Sequence, residues 1–424
     1  MAAGKYSLLP MKHEAFKNVA AGRFISFLGN GIAPVALAFA VLDLTGSAAQ
    51  LGALVAVRAL TSTIVMLYGG VLADRMPRAL LMQGSSLAAG CVQAVVGLAL
   101  IYSFCSMPLL FVLASLSGAL SALAMPSSMA VVPQTVPKDL LPQANALLRL
   151  STNLALVIGS SIGGILVAAW GSGWGLIVDA ATYVFAAYLF SRVKTTGQVK
   201  LPKRGKLLSD MREGWSEFVS HTWLWIVVLQ ATVWQAVWAG SIQVLGPVIA
   251  LHDIGKAAWG LVLASYTAGT IAGGLVALRW RPQRGVATGV AMTAVSAILP
   301  LALAFSARPV LLMAAGFLAG LSMEQVMVAS GAAVQSTIAP DRLARVASFQ
   351  IIGSSAAIPV GQALAGPLAD NIGTRDLLVV GGLVIVLAAT LSVSSRSVRE
   401  VGVSTNSPKA LPATENQSAS EKTS

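Results

Sequence analysis

The ionisable residues of most interest in this chain stand inside long apolar runs. Glu324 lies near the centre of the run 309–334, Arg58 within 50–73, and Asp43 and Asp179 near the ends of 24–44 and 173–192. An ionisable group inside a lipid-spanning helix costs roughly 2.5–3.5 kcal/mol on insertion scales, so each marks a point of function or of pairing. Two chemistries suit Glu324. It takes up and releases a proton during a working cycle, or it ties helices together, as a neutral acid or paired with an arginine. Asp43, Arg58 and Asp179 suit an ion-pair cluster at one membrane face better than a proton path. Arg149, near the start of the run 146–169, suits an anchor snorkelling to the interface better than a contact to an anionic ligand.

A second group suits binding. Gln230, Trp234, Trp238 and Ser241 recur at helical spacing on one face of the run 223–250. Indole prefers interfaces, so tryptophan in mid-bilayer is unusual, and aromatic walls beside a few amides suit an amphipathic small molecule. Asn30 and Pro34, with Met125 and Gln325, complete the candidate binding set. Nothing indicates an enzyme or a cofactor. His13, His221 and His252 are too far apart for a metal cluster, no Walker loop occurs, and no nucleophile has a partnered base. Cys91 and Cys105 would lie about 21 Å apart on one helix, too far for a disulfide.

These residues are positioned by membrane helices. The 424 residues are 56% hydrophobic and 10% charged, with 40 glycines, and the mean hydropathy is +0.77. Soluble domains carry roughly 25% charged residues, so the chain lacks a soluble surface. Twelve apolar spans are expected at 24–44, 50–73, 80–102, 108–133, 146–169, 173–192, 223–250, 257–279, 286–306, 309–334, 348–370 and 376–395, each able to cross about 30 Å of hydrocarbon. All but four of the 28 Lys and Arg fall on the side of the N-terminus; the exceptions are Lys256, Arg308, Arg375 and the intramembrane Arg58. Cytoplasmic loops carry the basic excess, so both termini are expected in the cytoplasm of a bacterial inner membrane. The net charge of +12 then reflects topology, not nucleic-acid binding. The segment before the first span is charged and polar, so that span is expected to be an uncleaved insertion signal.

The chain repeats. At an offset of 202 residues, Gly118, Gly159, Gly164 and Gly171 match Gly320, Gly361, Gly366 and Gly373, and in polar loops Thr135, Asp139 and Leu141 match Thr337, Asp341 and Leu343. Two parallel repeats of six helices follow. The expected organisation is a cytoplasmic N-terminus (1–23), a first bundle (24–192), a cytoplasmic linker (193–222), a second bundle (223–395) and a disordered cytoplasmic tail (396–424). In the linker, Leu207, Leu208, Met211, Trp215, Phe218 and Val219 share one helical face, which predicts an amphipathic helix on the membrane surface. Gly159, Gly163 and Gly164 suit close helix packing.

Motifs then point to a family. Gly70-Val-Leu-Ala-Asp74-Arg75-Met-Pro77-Arg78 resembles the signature of the major facilitator superfamily, with Pro77 where a second glycine is usual. An acid beside two arginines at a helix end forms a charge cluster that can latch one bundle to the other in one conformation and break in the next. The segments Ser26-Phe-Leu-Gly29-Asn30-Gly31, Asp43-Leu-Thr-Gly-Ser47, Pro133-Gln-Thr-Val-Pro137, Asn145-Ala-Leu-Leu-Arg149 and Gly366-Pro-Leu-Ala-Asp370 extend the likeness over roughly residues 16–395, and resemble the branch of enterobactin exporters and macrolide efflux proteins. The resemblance implies a proton-coupled exporter of small amphipathic molecules. Two positions depart from it. Asn30 stands where that branch often has an acid, and Ser160 where the antiporter signature has proline.

The expected fold is therefore an all-α membrane protein, twelve transmembrane helices in two pseudo-symmetric six-helix bundles. The expected function is antibiotic-, drug- or siderophore-like efflux by alternating access, by a monomer with protons as the coupling partner. An uptake carrier or facilitator for a polar metabolite, and a non-transporting membrane sensor or assembly protein, are the alternatives.

Overall fold

The computed structural model describes residues 9–401 except 74–77, 194–206, 281 and 340–341; within helices, the side chains of 67–73, 78–79, 124–130, 207–211, 213 and 344 are also outside the description. Among the described residues there is no strand. The first bundle comprises spans at Glu14–Thr45, Ala48–Ala73, Arg78–Ile101, Met107–Val131, Leu141–Trp170 and Ser172–Ser191. The second comprises Thr222–Ile254, Lys256–Arg279, Gly285–Phe305, Pro309–Thr337, an eleventh span in two pieces (Leu343–Ser355 and Ile358–Ile372), and Thr374–Ser394. Eleven of these are long and apolar enough in their described residues to cross a bilayer, with Met107–Leu123 a shorter apolar stretch of the fourth.

The helices run past the apolar runs that predicted them. The first starts at Glu14, inside the segment expected to precede it, because nothing between 14 and 24 breaks a helix. Its terminus is a turn at Gly46, with φ +64°. The fifth and sixth spans are joined through Gly171 (φ +87°) and the eleventh and twelfth through Gly373 (φ +90°). These one-residue links need a backbone that side chains disfavour, and they are a repeat-related pair.

The other repeated glycines have equally plain causes. Gly118 packs on the Arg58 carbonyl and Gly320 on that of Tyr266; Gly159 packs on the Leu28 carbonyl and Gly361 on that of Ala236. Gly164 meets Gly260 and the Ala257 carbonyl, while Gly366 meets the backbone of Ala48 and Ala49. The first two pairs repeat a contact within each half and the third repeats a contact between halves, all at separations only a residue without Cβ permits.

The 14-residue helix Leu207–Ser220 docks on the start of the eleventh span. Trp215 lies 5.5 Å edge-on to Phe349, Phe218 stacks on Trp215 at 5.7 Å, and Arg342 pairs with Glu217 at 2.6 Å. Trp215 keeps an exposed face beside the buried Phe218. Part of the apolar face expected to lie on the membrane surface thus packs on protein instead.

Candidate functional site

A cavity of about 590 Å³ lies between the halves. It is lined by Asn30, Pro34, Val55, Arg58, Ala59 and Ser160 from the first half, and by Trp238, Ile242, Leu263, Tyr266, Thr267 and Gln362 from the second. The glycine contacts show how these positions correspond. Matching Leu28 with Ala236 and Arg58 with Tyr266 relates the first two spans of each half by 208 residues, whereas the fifth and eleventh keep 202. Asn30 is then the counterpart of Trp238, Pro34 of Ile242, Val55 of Leu263, Arg58 of Tyr266, Ala59 of Thr267, and Ser160 of Gln362. Equivalent positions face one space, so the cavity sits on the axis relating the halves.

Its walls differ in chemistry. The first half offers Asn30, Arg58, Ser62, Ser121 and Ser160; the second offers Trp238, Trp259 and Tyr266 with Gln243 and Gln362. Trp238 lies 4.9 Å from the Tyr266 ring and stacks on Trp234 at 5.1 Å. Gln362 Nε2 donates to Gln243 Oε1 at 2.7 Å, and the Tyr183 hydroxyl donates to Asn30 Oδ1 at 2.8 Å. The seventh span widens to π-helix over Ala239–Leu245, a distortion that often occurs at functional sites. It begins just after Trp238 and contains Ile242 and Gln243. Among the described lining residues Arg58 is the lone cation, and none is a carboxylate.

The aromatic face of the seventh span divides between two tasks. Trp238 reaches the cavity, but Trp234 Nε1 donates to Ser296 Oγ at 2.7 Å and Gln230 Nε2 to Thr293 Oγ1 at 2.9 Å. A 3₁₀ turn at Ala294–Ala297 helps present these hydroxyls, so Gln230 and Trp234 bind the ninth span to the seventh, and Ser241 is buried. Gln325 likewise turns away and donates to the Gly273 carbonyl at 2.7 Å. The reason is common to all three: a buried polar side chain that finds a partner on a neighbouring helix is held there. Met125 is described as helical backbone only. Asp74 and Arg75 of the charge cluster lie outside the described residues, and Gly70 and Arg78 are described as backbone alone.

The expected cluster of Asp43, Arg58 and Asp179 loses Asp43, while Asp179 stays within electrostatic reach of Arg58 without an ion pair. Asp43 Oδ2 instead pairs with Lys256 of the other half at 2.6 Å. Depth explains this, because Arg58 and Asp179 sit about 10–15 Å along their helices from that face, whereas Asp43 is at the rim. Asp179 is fully buried and accepts from Gln93 at 2.6 Å, and Arg58 turns into the cavity. A second ion pair between halves joins Arg149 to Glu324 at 2.8 Å. Gly159 and Gly163 pack on the first span and Gly164 on the eighth.

The halves meet differently toward the two ends of the cavity. Here the face holding the start of the first span and the end of the twelfth is termed the terminal face, and its opposite the far face. Close packing between halves joins the fifth span to the eighth and the second to the far piece of the eleventh. Its contacts, Gly164 with Gly260 and Gly52 with the Gln362 carbonyl, are near the far face. Lys256, Trp259, Tyr266, Gln243 and Gln362 were not anticipated as site residues. Comparing the first two spans of each half at 208 residues would have flagged Tyr266 opposite Arg58.

The sequence pattern of a family described as "Transmembrane secretion effector" matches residues 5–421. The enterobactin exporter EntS of Shigella boydii is 31% identical over 185 residues, and that of Citrobacter koseri 30%. Each alignment spans 42% of this chain and 43% of the relative, less than half of either. A point mutant of the nucleoside transporter NupG superposes with a TM-score of 0.74 over 90% of this chain and 99% of its own, at 10% identity. A bacterial homologue of the human lysosomal transporter Spinster, inward-facing and unoccupied, gives 0.71 over 91% and 97% at 15% identity. An inward-facing bacterial homologue of ferroportin gives 0.70 over 90% and 98%, also at 15%. At such identities the likeness is one of fold.

Proposed function

The chain belongs to the transmembrane secretion effector family of the major facilitator superfamily, and from that premise we propose that it exports small amphipathic molecules by alternating access in exchange for protons. The observation that carries the reading is the cavity on the axis between the halves, sealed by glycine contacts at one end and crossed by an ion pair nearer the other. The one-sided Lys and Arg argue that the terminal face is cytoplasmic, so cargo enters from the cytoplasm. Rocking of the bundles parts the glycine seams, closes the terminal face and releases cargo on the far side. The partial match to enterobactin exporters supports a siderophore-like, drug-like or antibiotic cargo.

For coupling, Glu324 is the proposed proton carrier. Protonation removes the carboxylate charge and releases Arg149, so one proton undoes one tie between halves. The test is transport by inside-out vesicles over a panel of amphipathic compounds, with and without an imposed pH gradient. The expected result is accumulation that the gradient stimulates, with stimulation lost and basal flux kept in Glu324→Gln. No accumulation of any compound overturns export, and unchanged stimulation in Glu324→Gln removes Glu324 from coupling. The absence of a carboxylate among the described lining residues favours a second reading, an uncoupled facilitator. It predicts equal flux with and without the gradient.

A further inference from the structure

The first half contains a second cavity, of about 340 Å³, which shares Asn30, Arg58 and Ser121 with the central one. Its remaining lining includes Arg23, Phe27, Ser85 and Ser86. Two guanidinium groups thus face one small space, and among the described residues no carboxylate lines it. Arg23 Nε is buried without a hydrogen-bond partner, and its guanidinium stands 5.7 Å from the Phe27 ring. Neither Arg23 nor Arg58 has an ion pair within 4.0 Å among the described residues. Asp179 is the carboxylate whose field reaches Arg58, but it is fully buried and lines neither cavity.

Arginine without a counter-ion inside a membrane protein is unfavourable unless water or a ligand completes it. The guanidinium fork suits oxyanions, which it binds through paired hydrogen bonds. Asn30 adds to this. Its Oδ1 is already occupied by the Tyr183 hydroxyl, which leaves the amide N–H donors for a ligand. A carboxylate at position 30 would repel an anion there; the amide does not. Across the junction, Trp238, which stacks on Trp234, and Tyr266, tilted 36° to it, form an aromatic wall, against which the edge or face of a conjugated ring can pack.

We propose that the cargo is an organic anion with a flat conjugated body. Its acidic group enters the first half between Arg23 and Arg58, and its body lies against Trp238 and Tyr266. The proposal rests on the central cavity being the cargo site, and narrows the cargo class.

The experiment is calorimetric titration of the full-length chain in phosphatidylcholine nanodiscs with naphthoate and with naphthamide, which share a ring system and differ in charge. A charged hydrogen-bond pair predicts that naphthoate binds about tenfold tighter or more. Arg58→Gln should erase that preference, lowering naphthoate affinity far more than naphthamide affinity, and Arg58→Lys should keep part of it. Should Arg58→Gln fail to fold, Arg23→Gln, outside the central cavity, is expected to lower naphthoate affinity alone. Equal affinities, no naphthoate binding, or a preference surviving in both Arg58→Gln and Arg23→Gln overturns the proposal. A preserved preference without export in vesicles would instead sink the export reading and leave this site standing.

Discussion

At the far face the two halves meet through backbone: Gly52 lies under the Gln362 carbonyl, Gly366 on Ala48 and Ala49, and Gly260 against Gly164 and the Ser160 carbonyl. Toward the terminal face Arg149 crosses to Glu324, with Arg149 itself 67% exposed. One contact between halves depends on shape and the other on charge. Contact attraction falls by roughly a quarter to a half over a gap of about 0.5–1 Å, because each contact needs helices to touch. A charge pair holds over a longer reach but is weakened by water and released by one proton. A carrier that must open each end in turn can use this difference: the far seam acts as the firm lock and the ion pair as the responsive one.

The largest expected effect comes from filling the far seam. A methyl at Gly366 would overlap the Ala49 backbone, which cannot rotate away as a side chain can. Overpacking of this kind costs about 1–3 kcal/mol, so Gly366→Ala should shift the balance away from the far-sealed state roughly 5- to 150-fold. Spin labels at Leu44 and Asn371, on opposite halves at that face, should move apart, and transport should fall. Gly84→Ala is the matched control, since nothing lies within 4 Å of its added methyl. Equal behaviour of the two variants would mean that shape does not lock the far end.

The architecture was legible because membrane helices are written in long apolar runs and one-sided charge, and the glycine repeat is a direct trace of repeated helix contacts. The site was less legible. Trp234 and Trp238 are chemically identical and one helical turn apart, yet one is held by Ser296 and the other faces the cavity. Only the neighbouring helix decides that. Arg58 was visible as an intramembrane cation within reach of Asp179, but Asp43 was misplaced beside it because depth along a helix is set by packing. Asp43 and Lys256 lie 213 positions apart, and nothing local in either segment signals that they meet.

A smaller effect is expected at the terminal face. Reversing Glu324 to Arg sets two arginines against each other, and the double exchange Arg149→Glu with Glu324→Arg restores the pair. Because Arg149 is well hydrated, the pair is worth up to about 1 kcal/mol, or roughly a fivefold change in opening. Single reversals should therefore lower transport measured without a pH gradient a few-fold, with part regained in high salt and more in the double exchange. Loss as deep as in Gly366→Ala, insensitive to salt and unrescued by the exchange, would show that Glu324 acts through packing rather than charge.

The smallest effect belongs to the charge pair that shares the far face with the glycine seams. Lys256 Nζ reaches both Asp43 oxygens, and Asp43 is 42% exposed. If shape holds that end, the pair is redundant there. Asp43→Asn should change transport by less than about twofold, in line with the few tenths of a kcal/mol typical of exposed pairs, and leave the Leu44–Asn371 label distance in place. A large loss, or a far face that opens in Asp43→Asn, would break the comparison: both ends would then be held by charge, and the glycine seams would serve only to let the halves approach. Combining Asp43→Asn with Gly366→Ala distinguishes the two cases further. Independent locks give losses that multiply, whereas a pair that matters only once the seam is open gives a double variant far worse than the product.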